Sequence, residues 1–250
     1  MSDLFDYLAW RGDIPLSQVP FGPVDGLILS TLSYVRFQEL VPDSPSLSVP
    51  LQQAAEAFLA LPEQEAEDRV RCRHDLPLLK ALLSAPRFAS LPLPFYQDCL
   101  DPEREMQFSA LTVLLDTGEA LLVFRGTDNT LVGWKEDFNL SFLEVVPAQS
   151  AALNYTARLA AARPGPLLLA GHSKGGNLAV FSASLSPPEL RDRIGAVYSY
   201  DSPGFTQRVL SATGYQELLP RIRSYVPQSS VVGMLLEHRG QKPPPWHFPA

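Results

Sequence analysis

Cysteine and histidine are scarce in this chain, two and four residues among 250. Cys72 and Cys99 stand in no ligand-like spacing with His74, His172, His238 or His247, so neither a structural zinc site nor any other metal is expected. Both thiols are expected free, which fits a reducing, cytoplasmic setting. No run of Lys and Arg reaches five residues, and the net charge is −7, so the electrostatic footprint of nucleic-acid binding is missing. No apolar stretch approaches the roughly 18 residues that a membrane span needs. The opening MSDLFDYLAWRGD carries Asp3, Asp6 and Asp13 and has no basic segment followed by an apolar one, so no secretory signal is expected. No cofactor motif is read. What is present is ordinary for a globular protein: 46% apolar residues, 19% charged, and enough length to bury a sizeable core.

The texture changes along the chain. Residues 1–100 read as helical and irregular, with helices expected over 24–35, 51–61 and 75–84, the last opened by Asp75 as N-cap. Proline-rich connections at 41–50 and 91–94 separate them. Residues 108–115 are β-rich, break at Asp116-Thr117-Gly118, and resume as a strand over 120–124. A helix is expected over 148–162, a short buried strand over 166–170, a helix over 175–185, and strands over 194–200 and 222–226. This alternation predicts an α/β fold whose mostly parallel central sheet carries helices on both faces. Residues 1–100 then form a helical region packed on a core of 101–240, with a Pro-rich tail over 241–250, the whole making one compact domain.

The segment Leu167–Asn177, LLLAGHSKGGN, contains G-x-S-x-G between an apolar strand and a helix. In that context the chain turns sharply and presents Ser173 at the carboxyl edge of the sheet, as a nucleophile does in an α/β-hydrolase-like fold. Gly171 and Gly175 lack Cβ atoms because one at either place would clash across the turn. An oxyanion hole needs two donors. The Lys174 N–H is one. The Gly126-Thr127 backbone, at the end of the strand VFRGTD, is placed in chain order to give the other, and Thr127 Oγ1 could add to it. The bland reading of VFRGTD is a polar turn. Asp201, in YSYDSPGF, follows the next strand and reads either as the acid that orients a histidine or as a turn cap. Among the histidines, His74 precedes the sheet, His172 adjoins Ser173 and would brace the turn, and His247 lies in the tail. His238 alone has the chain order Ser–Asp–His, against the alternative of a surface histidine.

The chain resembles the Mbeg1-like family of α/β hydrolases, related to the class 3 (fungal) lipases. The resemblance is carried by FDYLAWRGD, VDGLILSTLSYVRF, FRGTDNTLVGWKEDFNLSF, GHSKGGNLAV, YSYDSPGF and YVPQSSVVGMLLEH, which run from residue 4 to residue 238. It implies Ser173 as nucleophile, Thr127 and Lys174 as the oxyanion hole, and a structural W-x-x-D over Trp134–Asp137. Three departures stand out. Class 3 lipases place their catalytic Asp in the segment similar to residues 225–231, where this chain has Ser229 and Ser230, so Asp201 would substitute from one strand earlier. Lys174 replaces the apolar residue those lipases usually carry. Family members continue past LEH into a further strand with another histidine, where this chain has RGQKPPPWHFPA. Either His238 then serves as the base or the true base has been lost. The expected function is hydrolysis of a carboxylic ester by acyl-enzyme chemistry at Ser173, with catalytic Ser173, Asp201 and His238. The resemblance points to a small ester or lipid as substrate. The alternative is an inactive hydrolase fold that serves as a binding module.

Overall fold

The computed structural model describes residues 3–227 and Ser230. Two short strands, β1 (Val49–Pro50) and β2 (Pro92–Leu93), pair antiparallel. They join the two proline-rich connections, which the sequence presents only as linkers. The main sheet has six strands in spatial order β3 (Tyr96–Asp101), β4 (Met106–Leu114), β5 (Ala120–Phe124), β6 (Leu167–His172), β7 (Ile194–Tyr200) and β8 (Ile222–Tyr225). The first three form an antiparallel meander; from β5 to β8 every pairing is parallel. Strands β5 and β7 have the expected bounds. Strand β3 does not announce itself: YQDCLD lacks apolar alternation and takes its place through six paired residues on β4.

Alternation along each strand sorts side chains onto two faces. Leu111, Val113, Leu121, Val123, Leu168, Ala170, Ala196 and Tyr198 point to one core. That face is covered by the N-terminal helices α1 (Leu4–Arg11), α2 (Pro23–Leu32), α3 (Leu51–Leu59), α4 (Glu63–Asp68), α5 (Asp75–Leu83) and α6 (Pro86–Ala89). Phe108, Ala110, Leu122, Phe124, Leu167, Leu169 and Val197 point to the other. Between β5 and β6 run α7 (Leu131–Asn139) and α8 (Pro147–Ala162), and α9 (Lys174–Leu185) and α10 (Pro188–Arg191) follow β6. Helices α11 (Gln207–Ser211) and α12 (Thr213–Leu218) precede β8, and α8, α9 and α12 supply the second core. Asp75 is the first helical residue of α5, with His74 at the cap. Its carboxylate accepts the N–H groups of Arg71 and Cys72 in the preceding turn rather than those inside the helix.

The N-terminal layer is held by a buried ion pair as well as by apolar contact. Arg87 meets Asp25 through Nε at 2.7 Å and Nη2 at 2.6 Å, with both side chains fully buried. The remaining guanidinium hydrogens go to the carbonyls of Ile14, Val19 and Pro20. Asp25 also accepts the Gly22 N–H and the Tyr7 hydroxyl, so one pair fastens α1, α2 and α6. Burial and the Asp25 carboxylate push the Tyr7 phenol up to about 12. Removing one charge of such a pair strands the other in the interior. Asp25→Ala is expected to cost about 3–5 kcal/mol. Urea unfolding should show this as a lower midpoint at an unchanged slope, and a loss below about 1 kcal/mol would contradict it.

Candidate functional site

Three chain segments converge at the carboxyl ends of β5, β6 and β7. Phe124 pairs with Gly171, and Gly171 with Ser199, so the residues that follow leave the sheet side by side. Ser173 lies between β6 and α9 with φ 57° and ψ −131°, a left-handed conformation unusual for a residue with a side chain. Its N–H donates to the Tyr200 carbonyl at 2.8 Å, which ties the turn to β7. A Cβ built on Gly171 would come within 2.2 Å of the Gly175 carbonyl, and one on Gly175 within 2.0 Å of the Phe124 carbonyl oxygen. The start of α9 therefore rests on the backbone of β5. A Cβ on Gly126 would meet the Tyr34 hydroxyl at 2.2 Å, the His172 carbonyl at 2.6 Å and Ser173 Cβ at 3.2 Å. Gly126 is thus packed against Ser173, and Thr127 is the next residue.

Thr127 Oγ1 donates to Asp137 Oδ2 at 2.5 Å. Burial raises the Asp137 carboxyl above the usual carboxylate range, with the Thr127 hydroxyl pulling the other way, and Asp137 Oδ1 is buried without a hydrogen-bond partner among the described residues. The Trp134–Asp137 segment lies in α7, its Trp exposed and its Asp turned inward. Lys174 presents no charge at this edge. Its side chain is buried, and its ammonium pairs with Glu136.

Asp201 directly follows β7 with φ 46°, the second of two left-handed non-glycine residues just beyond adjacent strand ends. Its N–H donates to Tyr225 O at 2.8 Å. Asp201 Oδ1 accepts the Ser230 hydroxyl and no backbone N–H of the following turn. Asn177 on α9 steadies that turn: Nδ2 reaches Gly204 O at 2.9 Å, and Oδ1 accepts Gln149 Nε2 at 2.9 Å. Beside Asp201 opens a largely apolar cavity of about 780 Å³, lined by His172, Tyr200, Tyr225, Trp10, Val24 and Leu27.

His238, His247 and Ser229 lie outside the described residues. His172 does brace the turn, with Nδ1 2.9 Å from the Tyr34 hydroxyl. Tyr34 itself carries Arg71 over its ring, and burial pushes its phenol up to about 12, so the hydroxyl keeps its proton. Glu136 and Tyr34 escape sequence reasoning. They reach this edge over 38 and 138 residues, and no local pattern marks them.

A six-stranded mixed sheet with helices on both faces, and a serine turn at the carboxyl end of an inner parallel strand, define a lipase-like α/β-hydrolase fold. The Rhizomucor miehei lipase in its propeptide complex is similar at TM-score 0.50 and 15% identity, over 84% of this chain and 61% of that one. The chain thus spans less than two thirds of that lipase. M37 lipase is similar at TM-score 0.43 and 13% identity over 82% and 67% of the two chains, and a fungal lipase–inhibitor complex at 0.39 and 17% over 65% and 67%. At these identities the likeness is one of fold. The chain belongs to the Mbeg1-like family, whose model matches residues 82–242. No curated protein matches the sequence. No described helix is long and apolar enough to cross a membrane.

One titration follows from the site. Burial first, then the Arg71 charge, hold the His172 imidazole below its ordinary value near 6.5, with Asp201 opposing them. A histidine kept neutral by the fold stabilises fully above its unfolded pKa and loses that contribution as pH falls through the folded value. The His172 ring should therefore titrate below 6.5 by NMR, and His172→Gln should flatten the acid limb of the stability curve beneath that pH. A midpoint above 6.5 would contradict the assignment.

Proposed function

We propose that the protein hydrolyses a carboxylic ester, a small ester or a lipid, through an acyl-enzyme on Ser173. The observation that carries this reading is the strained backbone of Ser173 on the same sheet edge as Thr127 and Asp201. Strain of this kind persists where the surrounding structure over-determines it, and it clusters at functional sites. In the proposed reaction Ser173 Oγ bonds to the ester carbonyl carbon while its proton passes to His238. The alcohol leaves with that proton, and water repeats the sequence to release the acid. The N–H groups of Thr127 and Lys174 hold the oxyanion, and Asp201 orients the histidine. The Asp201–Ser230 contact supports a substituted acid. It joins Asp201 to the segment where, by resemblance, class 3 lipases keep theirs. The Thr127 hydroxyl, spent on Asp137, fixes the loop, which leaves the backbone as donor.

A second reading, a hydrolase fold kept as a binding module, is favoured by one observation. The histidine that the described residues place at this edge, His172, has its Nδ1 engaged with Tyr34. Hydrolysis of p-nitrophenyl esters separates the two readings. Ser173→Ala is expected to lower kcat by at least about 10³-fold. Its melting temperature should hardly move, because so few atoms are removed. Turnover by Ser173→Ala close to that of the parent protein would overturn the hydrolase assignment and leave the binding module.

A further inference from the structure

Lys174 directly follows Ser173, and its side chain does something its position does not announce. The ammonium has three hydrogens, and three acceptors take them: Gln107 O at 2.7 Å, Gln107 Oε1 at 2.9 Å and Glu136 Oε2 at 2.7 Å. Both charged side chains have 0% exposure. Glu136 is also satisfied from its other side, Oε2 by the Gln107 N–H at 3.1 Å and Oε1 by the Ala148 N–H at 2.8 Å. Four elements therefore meet at one ion pair: β4, α7 and the first turns of α8 and α9.

Helix α7 buries little apolar surface, and its other side-chain ties are Asp137 to Thr127 and, at the surface, Lys135 and Asn139 to Glu105 at 3.2 and 2.9 Å. Its only buried residues are Gly133 and Glu136, whereas Leu131, Trp134 and Phe138 are 84%, 67% and 68% exposed. The apolar burial that normally docks an amphipathic helix is missing here. The buried pair takes its place. Next to Glu136 stands Asp137, the acceptor of the Thr127 hydroxyl. Consecutive helical residues differ by about 100° in direction, so fixing Glu136 fixes where Asp137 faces and hence where Thr127 sits.

We infer that Lys174 is a two-ended positioning residue: its side chain clamps α7 through Glu136, and that clamp sets Thr127 opposite the N–H that Lys174 itself contributes. The inference rests on the hydrolase reading only for its kinetic consequence. Breaking the pair lets the Thr127 half of the anion site drift while Ser173 and Lys174 N–H stay fixed by the glycine contacts. A displacement on the scale of 1 Å at a reacting centre costs about 10²-fold in rate.

Two variants test it. Glu136→Gln keeps the shape and removes the charge. The double variant Lys174→Met with Glu136→Leu replaces the pair by apolar groups of similar volume, a change that preserves stability in other buried pairs. In both, α7 amides should exchange with deuterium about tenfold faster or more while β6 amides keep their protection. With p-nitrophenyl butyrate, kcat should fall about 10²-fold with KM within about twofold. A folded double variant whose α7 exchange and kcat both match the parent would overturn the inference, and so would a loss of kcat without faster α7 exchange. A parent protein with no Ser173-dependent turnover would instead sink the hydrolase reading, and α7 exchange alone would then decide whether the pair clamps the helix.

Discussion

The edge that carries Ser173 depends on backbone touching backbone. Gly171 and Gly175 let the β6–α9 turn close on itself and against the end of β5, and Gly126 brings the Thr127 loop against Ser173 from the neighbouring strand. No side chain larger than hydrogen fits at these three places without moving a carbonyl. Because β5, β6 and β7 are parallel and in register, the same closure delivers Gly126, Ser173 and Asp201 to one line. The start of α9 lies immediately behind, where the helix N-terminus favours developing negative charge.

Two buried ion pairs complete the arrangement. Arg87–Asp25 fastens the helical layer that walls the apolar cavity, and Lys174–Glu136 fastens α7 beside Thr127. Each is saturated by further hydrogen bonds, the condition under which buried charge is tolerated. The first adds to the apolar packing of α1, α2 and α6; the second anchors a helix that buries no large apolar side chain. In that helix, α7, the large apolar residues face outward and the glutamate faces in.

Much of this fold is legible in the sequence, because its strands are short apolar runs bounded by turn residues. Strands β5 and β7 have the bounds their composition predicts, and G-x-S-x-G between strand and helix locates the turn at Ser173. Strand β3 and the ribbon of β1 with β2 are not legible. Their residues carry no alternation: β1 and β2 become strands only by pairing far apart in the chain, and β3 only through its hairpin with β4. In the candidate site, Thr127 and Lys174 are singled out by chain order, but the partner that gives each its place is not. Asp137 stands out only through W-x-x-D, and nothing in the sequence marks Glu136 beside it as the buried partner of Lys174. Tyr34 and His172 meet across 138 residues for the same reason.

On the proposed function, Ser173 Oγ is the reactive nucleophile of this edge. Treating the folded protein with a fluorophosphonate and locating the adduct by peptide mass mapping tests it without assuming any substrate. One adduct is expected, on the peptide containing Ser173, absent after Ser173→Ala and absent from unfolded protein. An unlabelled folded protein, or an adduct on another residue that survives Ser173→Ala, would contradict it.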